Sequence, residues 1–277
     1  MHIACLTFDF DAVSGYIAKG MRSPTPISRG EFGLVGADRI LDLLKQHDIP
    51  ATWFIPGHTI ETYPEMSVRI AIAGHEIGHH GWTHMTPVTM SRDEEEAGLQ
   101  RGTDAIVKLC GQKPRGYRSP AWDLSENTVD LLVSRGFLYE SSMMGNDYTP
   151  YFARTGDVIA LEEPMQLGPE TSLVEMPISW TLDDYPHFEY VRNKQYSMQG
   201  LMPAGGVLQN WVDDFDYMTR TVEWGVLTYT CHPFVIGRGH RMMMLERLIE
   251  ALQGLGATFM TMEDAANAWL ERTAPSR

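Results

Sequence analysis

Residues 3–11 read IACLTFDFD, a short apolar, β-prone run that ends in Asp9-Phe10-Asp11. Side chains two apart on a strand point to the same side, so Asp9 and Asp11 are expected to project together from the end of the first strand. Two like charges that close raise each other's proton affinity unless a metal or an arginine lies beside them. Loop aspartates also cap the element that follows, and the pair alone does not separate the two uses.

Outward from that run, β-rich segments alternate with amphipathic helical ones: ADRILDLLKQH, ATWFI, EMSVRIAIAG, HEIGHH, a helix over residues 91–109, a strand near 116–118, a helix over 125–134, and FLYES. Towards the C-terminus come GVLTYTCH, MMMLERLIEALQGLG, ATFMTM and EDAANAWLER. Repeated βα units predict an α/β fold, a parallel sheet covered by helices and either open or closed into a barrel. Ser91 with Glu94 three residues on forms a capping box, and Gly74, Gly111 and Gly136 stand where helices end. Residues 15–32 and 144–189 are expected to be loops that set pocket selectivity, the second with irregular strands over one barrel face. No internal repeat or long linker divides the chain, so a single domain over residues 1–277 is expected.

A net charge of −14, from 22 basic and 36 acidic residues, would repel phosphate backbones and anionic headgroups. Neither nucleic acid nor membrane is expected as a partner. The N-terminus lacks the pattern of a secretory signal, and Cys5, Cys110 and Cys231 show no metal or redox spacing. A reducing cytoplasm is the expected location. Cys231 reads as core, because its neighbour His232 would point to the opposite face of the strand.

The run HEIGHHGWTH, residues 75–84, places His80 and His84 four apart, with Gly81 between them. If the segment turns helically the two imidazoles converge, and a carboxylate from elsewhere completes an N,N,O set with open positions. Both this run and Asp-Phe-Asp fall at C-terminal strand ends, where α/β barrels put their active sites.

With Arg-x-Pro-x-Trp at Arg118 to Trp122 and a late strand ending in His232, the ordered motifs resemble the polysaccharide deacetylase superfamily, the NodB-homology amidohydrolases. The resemblance implies a distorted (β/α) barrel with fewer than eight strands. It implies Asp9 as general base, Asp11, His80 and His84 as metal ligands, Arg118 as the partner that keeps Asp9 ionised, and His232 as general acid. Trp122 and Trp180 would wall the site, and His187, in the aromatic loop DDYPHFEY, would line the substrate cleft. Glu76 and His79 lie inside the histidine motif and would support a ligand through hydrogen bonds, with packing as the competing use of His79. The implied cofactor is a divalent metal, zinc by default, with nickel, cobalt, manganese or iron fitting the same set.

Phe10 separates the two aspartates, which are adjacent in extracellular chitin- and peptidoglycan-type members, so the chain resembles more the allantoinase-like and cyclic imidase-like branch, whose members are cytoplasmic homo-oligomers. The leading expectation is therefore hydrolysis of a carbon–nitrogen bond in a small cytoplasmic amide or cyclic imide. N-deacetylation of an acetylated amino sugar or of peptidoglycan is the alternative, and a catalytically silent binding module the alternative of another class. The resemblance also implies an Asp before the motif Trp that assists the acid His, but none stands close before Trp180, where Glu175 is the nearest acid, and Asp183 and Asp184, which follow, read as solvated loop acids.

Overall fold

The computed structural model describes residues 1–192 and 197–274. The strands are β1 (His2–Asp9), β2 (Thr52–Ile55), β3 (Glu76–His79), β4 (Gly116–Tyr117), β5 (Tyr139–Glu140), β6 (Tyr151–Arg154), β7 (Glu170–Glu175), β8 (Tyr190–Arg192), β9 (Ser197–Gln199), β10 (Gly225–Cys231) and β11 (Thr258–Phe259). Helices fill the connections: α1 (Ser14–Ala18), α2 (Pro24–His47), α3 (Gly57–Thr62), α4 (Pro64–Ile72), α5 (Arg92–Cys110), α6 (Thr128–Arg135), α7 (Asp184–Phe188), α8 (Ala204–Thr221), α9 (Pro233–Ile236), α10 (Gly239–Gly254) and α11 (Met262–Thr273).

The main sheet runs β10-β1-β2-β3-β4-β5-β7-β6 and is parallel except for the last pair; β11 also lies parallel to the start of β1. Mostly parallel strands curled into a half-barrel with helices around them are the distorted NodB-type barrel that the motifs imply. β1 is central, and every residue from Ile3 to Asp9 is buried, as a strand covered on both faces requires. The registers Phe8↔Cys231, Asp9↔Phe54, Ile55↔His79, His79↔Tyr117, Tyr117↔Glu140 and Glu140↔Glu175 bring the C-terminal ends of seven strands to one rim. Side chains that alternation turns inward at that rim therefore face the same space.

The capping box forms as expected: Ser91 Oγ accepts from Glu94 N–H, the Glu94 carboxylate accepts from Ser91 N–H, and Gly111 closes the helix in the left-handed region. Residues 15–32 are not a loop, however. They carry α1 and the first turns of α2, whose Gly30, Gly33 and Gly36 hid the helical pattern. These glycines let the helix approach backbone directly: a Cβ on Gly30 would lie 2.6 Å from Ala12 O, and one on Gly36 would lie 1.9 Å from Pro233 O. The segment is glycine-rich because it packs against the rim loops. Helix α8 was also unanticipated, although Val207, Trp211, Phe215 and Met218 repeat on one buried face. No helix among the described residues is long and apolar enough to cross a membrane.

Candidate active site

Asp9 is the last residue of β1 and Asp11 lies two beyond it, so both carboxylates reach the rim from one side, as alternation predicts. The histidines converge by a different route from the one expected. The segment after β3 does not turn helically; Gly81 at φ +71° and His84 at φ +59° fold the chain back on itself. His80 Nε2 then lies 3.4 Å from Asp11 Oδ1, and His84 Nε2 lies 3.2 Å from Asp11 Oδ2. The ligand atoms of Asp11, His80 and His84 all fall within 4.8 Å of one another.

Arg118, fully buried, organises two of these residues at once. Its Nη1 donates to Asp9 Oδ1 at 2.8 Å and to Thr7 Oγ1 at 2.8 Å, while Nε and Nη2 donate to Ser141 O and Oγ, each at 3.2 Å. Its carbonyl accepts from His80 Nδ1–H at 2.8 Å. That bond puts the proton on Nδ1 and leaves the Nε2 lone pair directed at Asp11, the tautomer a metal ligand needs. One oxygen of Asp9 is pinned, and the other, 3.9 Å from His80 Nε2, remains turned into the cluster.

The donor set fits a divalent cation. Asp11 Oδ1 is buried and accepts no hydrogen bond from any described group, a deficit that costs about 1–3 kcal/mol unless a positive partner fills it. Burial alone would raise the Asp11 carboxyl, but the adjacent His84 and His80 outweigh it and hold it well below the usual carboxylate range.

His232 stands beside the cluster, just past β10. Its Nδ1 donates to Asp184 Oδ1 at 2.8 Å, its backbone N–H donates to the same carboxylate, and its Nε2 points to Asp11 Oδ2 at 3.9 Å. Asp183 Oδ1 lies 3.5 Å from Nδ1. The expectation that Asp183 and Asp184 are solvated is thus corrected: both are buried, and the pair orients His232. A parallel bridge between Asp183 and Thr230 docks this loop beside β10. Asp183 also accepts from Tyr185 N–H as the cap of α7, ahead of Pro186, and that Asp-x-x-Pro start was the legible signal. Although burial opposes it, the negative charges of Asp183, Asp184 and Asp11 hold the His232 imidazolium well above its ordinary pKa.

Trp122 and Trp180 stack with ring centroids 4.2 Å apart, and Arg118 Cζ lies 5.8 Å from the Trp122 ring, so this pair does adjoin the site. Trp180 is 43% exposed and offers an open aromatic face. Two expected residues, Glu76 and His79, fall elsewhere. Glu76 begins β3, about 10 Å from the rim at ~3.3 Å per residue, and its carboxylate binds Thr52 Oγ1, Tyr139 OH and Glu263 N–H. His79 precedes His80 on the strand and so points to the other face, where Nε2 meets Leu99 O and the ring packs on Tyr117 and Phe137. It shapes the histidine turn only through Nδ1, which accepts from Gly81 N–H. His187, on the same short helix as Asp184, bonds to Thr181 O and packs beside Trp211. The rule that removes Cys231 from the site also removes His79, and Cys231 is indeed core.

A barrel rim with an acid pair, two histidines, a pinned aspartate and an aspartate-oriented histidine defines a hydrolase of the NodB type. A polysaccharide deacetylase profile matches residues 35–139. A Helicobacter pylori protein described as a peptidoglycan deacetylase is 39% identical over 278 residues, covering 95% of this chain and 94% of its own. The solved structure of a Mycobacterium smegmatis protein described as a polysaccharide deacetylase superposes with a TM-score of 0.83 at 30% identity, covering 100% of this chain and 92% of that one. The chain belongs to the polysaccharide deacetylase family. The structure of an allantoinase, TM-score 0.78 at 22% identity over 100% of this chain and 91% of that one, shares the fold. The relatives thus favour the amino-sugar alternative over the small imide that the Phe10 spacing suggested.

Proposed function

We infer that this hydrolase removes the acetyl group from an N-acetylated amino sugar of the peptidoglycan type, with a divalent cation held by Asp11, His80 and His84. The single observation that carries the reading is that two buried pairs, Asp9–Arg118 and Asp184–His232, both adjoin that triad, Asp9 Oδ2 lying 3.9 Å from His80 Nε2 and His232 Nε2 lying 3.9 Å from Asp11 Oδ2. The full-length similarity to a peptidoglycan deacetylase supports the substrate class.

The cation supplies Lewis acidity that polarises an amide carbonyl and acidifies water. Asp9, with one oxygen pinned by Arg118, accepts a proton from the attacking water through the other. Loss of acetate from the amide leaves an amine too basic to depart unprotonated. His232, charged through its contact with Asp184, donates that proton from Nε2. The exposed face of Trp180, backed by Trp122, supplies a flat apolar surface of the kind on which a sugar ring packs.

Acetate release from N-acetylglucosamine oligomers by the purified, metal-loaded protein tests the reading, with succinimide and allantoin as ring substrates. Turnover of the rings without turnover of the oligomers would overturn it. His80→Ala is expected to lose metal and activity together, whereas Asp9→Asn keeps metal and loses most turnover.

A further inference from the structure

Two turns carry the triad, and each holds a non-glycine residue in the left-handed region: Ala12, at φ +47°, follows Asp11, and His84 itself stands at φ +59°. Ala12 is fully buried. A residue with a side chain rarely keeps that backbone unless its surroundings hold it there. The surroundings here include three consecutive residues at the start of α3. Gly57 N–H donates to Gly81 O at 3.1 Å and His58 N–H to Trp82 O at 2.9 Å, which ties both to the turn between His80 and His84. Thr59 Oγ1 donates to Asp11 O at 2.7 Å, the same carbonyl that accepts from Ser14 N–H at 2.9 Å to close the other turn. Gly57 has no room for a side chain, since a Cβ there would lie 2.6 Å from the Trp82 ring.

A chain of hydroxyls backs the contact with Asp11. Ser14 Oγ lies 2.8 Å from Thr59 Oγ1 and 2.9 Å from His58 Nδ1, and Ser14 and Thr59 are both fully buried. The available protons give this chain one direction. A carbonyl only accepts, so the single hydroxyl proton of Thr59 goes to Asp11 O. Thr59 Oγ1 therefore accepts from Ser14, whose own proton is then spent, and His58 must donate to Ser14 from Nδ1. The order is His58 Nδ1–H to Ser14 Oγ–H to Thr59 Oγ1–H to Asp11 O. Burial and the charge of Arg101 hold His58 below its ordinary pKa, so at neutral pH the ring carries that one proton and its Nε2 carries none.

We propose that His58, Ser14 and Thr59 are positioning residues for Asp11: with the Gly57 and His58 N–H groups they form a bracket that holds the Ala12 turn and fixes Asp11 against the histidine turn before a cation arrives. The consequence for the cation rests on the reading of Asp11 as a metal ligand, while the bracket itself does not. Asp11 keeps its carboxylate oxygens 3.4 Å from His80 Nε2 and 3.2 Å from His84 Nε2 only while both turns keep their shapes. A ligand set held in this way has little left to reorganise on binding, and that saving appears as affinity.

The test measures zinc affinity of the full chain by chelator competition, a readout that needs no substrate. Thr59→Val keeps the shape of the side chain and removes the donor to Asp11 O. The zinc dissociation constant is expected to rise about tenfold or more, and Thr59→Ser, which retains the hydroxyl, to stay within about threefold of the parent. In an Ala12→Gly background the left-handed turn is open to the backbone without help, so Thr59→Val should raise the constant only about threefold. A merely structural loss would be equal in the two backgrounds. Parent-like zinc binding by Thr59→Val, or the same loss in both backgrounds, overturns the proposal. Nitrogen NMR of the metal-free protein at neutral pH, with His58 assigned by its absence in His58→Gln, is expected to show Nδ1 protonated and to lose that preference in Ser14→Ala. If the parent takes up no zinc, the cation reading fails and the His58 proton still decides the bracket: a proton on Nδ1 supports it and one on Nε2 overturns it.

Discussion

Replacing Arg118 by methionine removes a fully buried guanidinium while keeping an apolar stem of similar length. It strands Asp9, 1% exposed, without a counter-charge and leaves Thr7 Oγ1, Ser141 O and Ser141 Oγ without their donor. The contact of Arg118 Cζ with the Phe54 ring at 4.2 Å is lost as well. Removing one partner of a buried ion pair costs about 3–5 kcal/mol, a large share of the ~5–15 kcal/mol that holds a domain folded. In an Asp9→Asn background no charge is stranded, and the same substitution should cost only the hydrogen bonds, about 1–3 kcal/mol. Urea unfolding of the four proteins at pH 7 and equal metal loading, followed by tryptophan fluorescence, measures the difference. A coupling of about 2 kcal/mol is expected, and costs that add to within ~0.5 kcal/mol would show that the pair does not interact as described. Metal content should survive Arg118→Met, because His80 is oriented by the backbone carbonyl of residue 118 and not by its side chain.

Asp184→Asn removes a negative charge that keeps His232 protonated, so the alkaline limb of kcat/KM moves to lower pH and kcat falls by about 10²–10⁴-fold; an unmoved limb in stopped acetate assays would remove His232 from the acid role. Glu140 and Glu175 are buried side by side, burial and the Glu140 charge raise Glu175 well above the carboxylate range, and Ser142 and Met143 N–H donate to it. Glu175→Gln, which mimics the protonated acid, should leave the melting temperature nearly unchanged, while Glu175→Ala orphans those donors at a cost of about 1–3 kcal/mol. Burial pushes Glu76 up to about 7 from 4.5. Between those values the unfolded chain ionises and the folded one does not, so stability falls by about 1.4 kcal/mol per pH unit as pH rises, with no further loss above 7. Glu76→Gln should flatten that part of the unfolding free-energy profile, and an identical slope in the variant would refute the buried, protonated Glu76.

The order of βα units, the strand-end aspartates and the histidine pair are local in sequence, and local periodicity and spacing expose them. What escaped was non-local. The glycines of α2 answer to backbone outside the helix, Gly30 to Ala12 and Val13 and Gly36 to the distant Pro233, so the helix they belong to looked like a loop. Asp184 partners His232 from 48 residues upstream, and nothing in its neighbourhood distinguishes it from a solvated acid except the helix cap at Asp183. Glu76 and His79 erred the other way, since lying inside a motif does not place a side chain at the site. Strand rise and alternation assign one to the far end of β3 and the other to its outer face.

The sequence by itself determined the carboxylate pair and the two histidines, because each rests on residue type and on spacing measured along one segment, and the order of the motifs along the chain added, by resemblance, the fold family, Arg118 and His232. The tertiary structure decided which acids orient His232 and that Arg118 holds Asp9 by its side chain and His80 by its backbone. Those facts depend on which segments the half-barrel closes against one another. Desolvation at that closure, which no local pattern encodes, turns ordinary loop acids and the buried Arg118 into a charged, directional site.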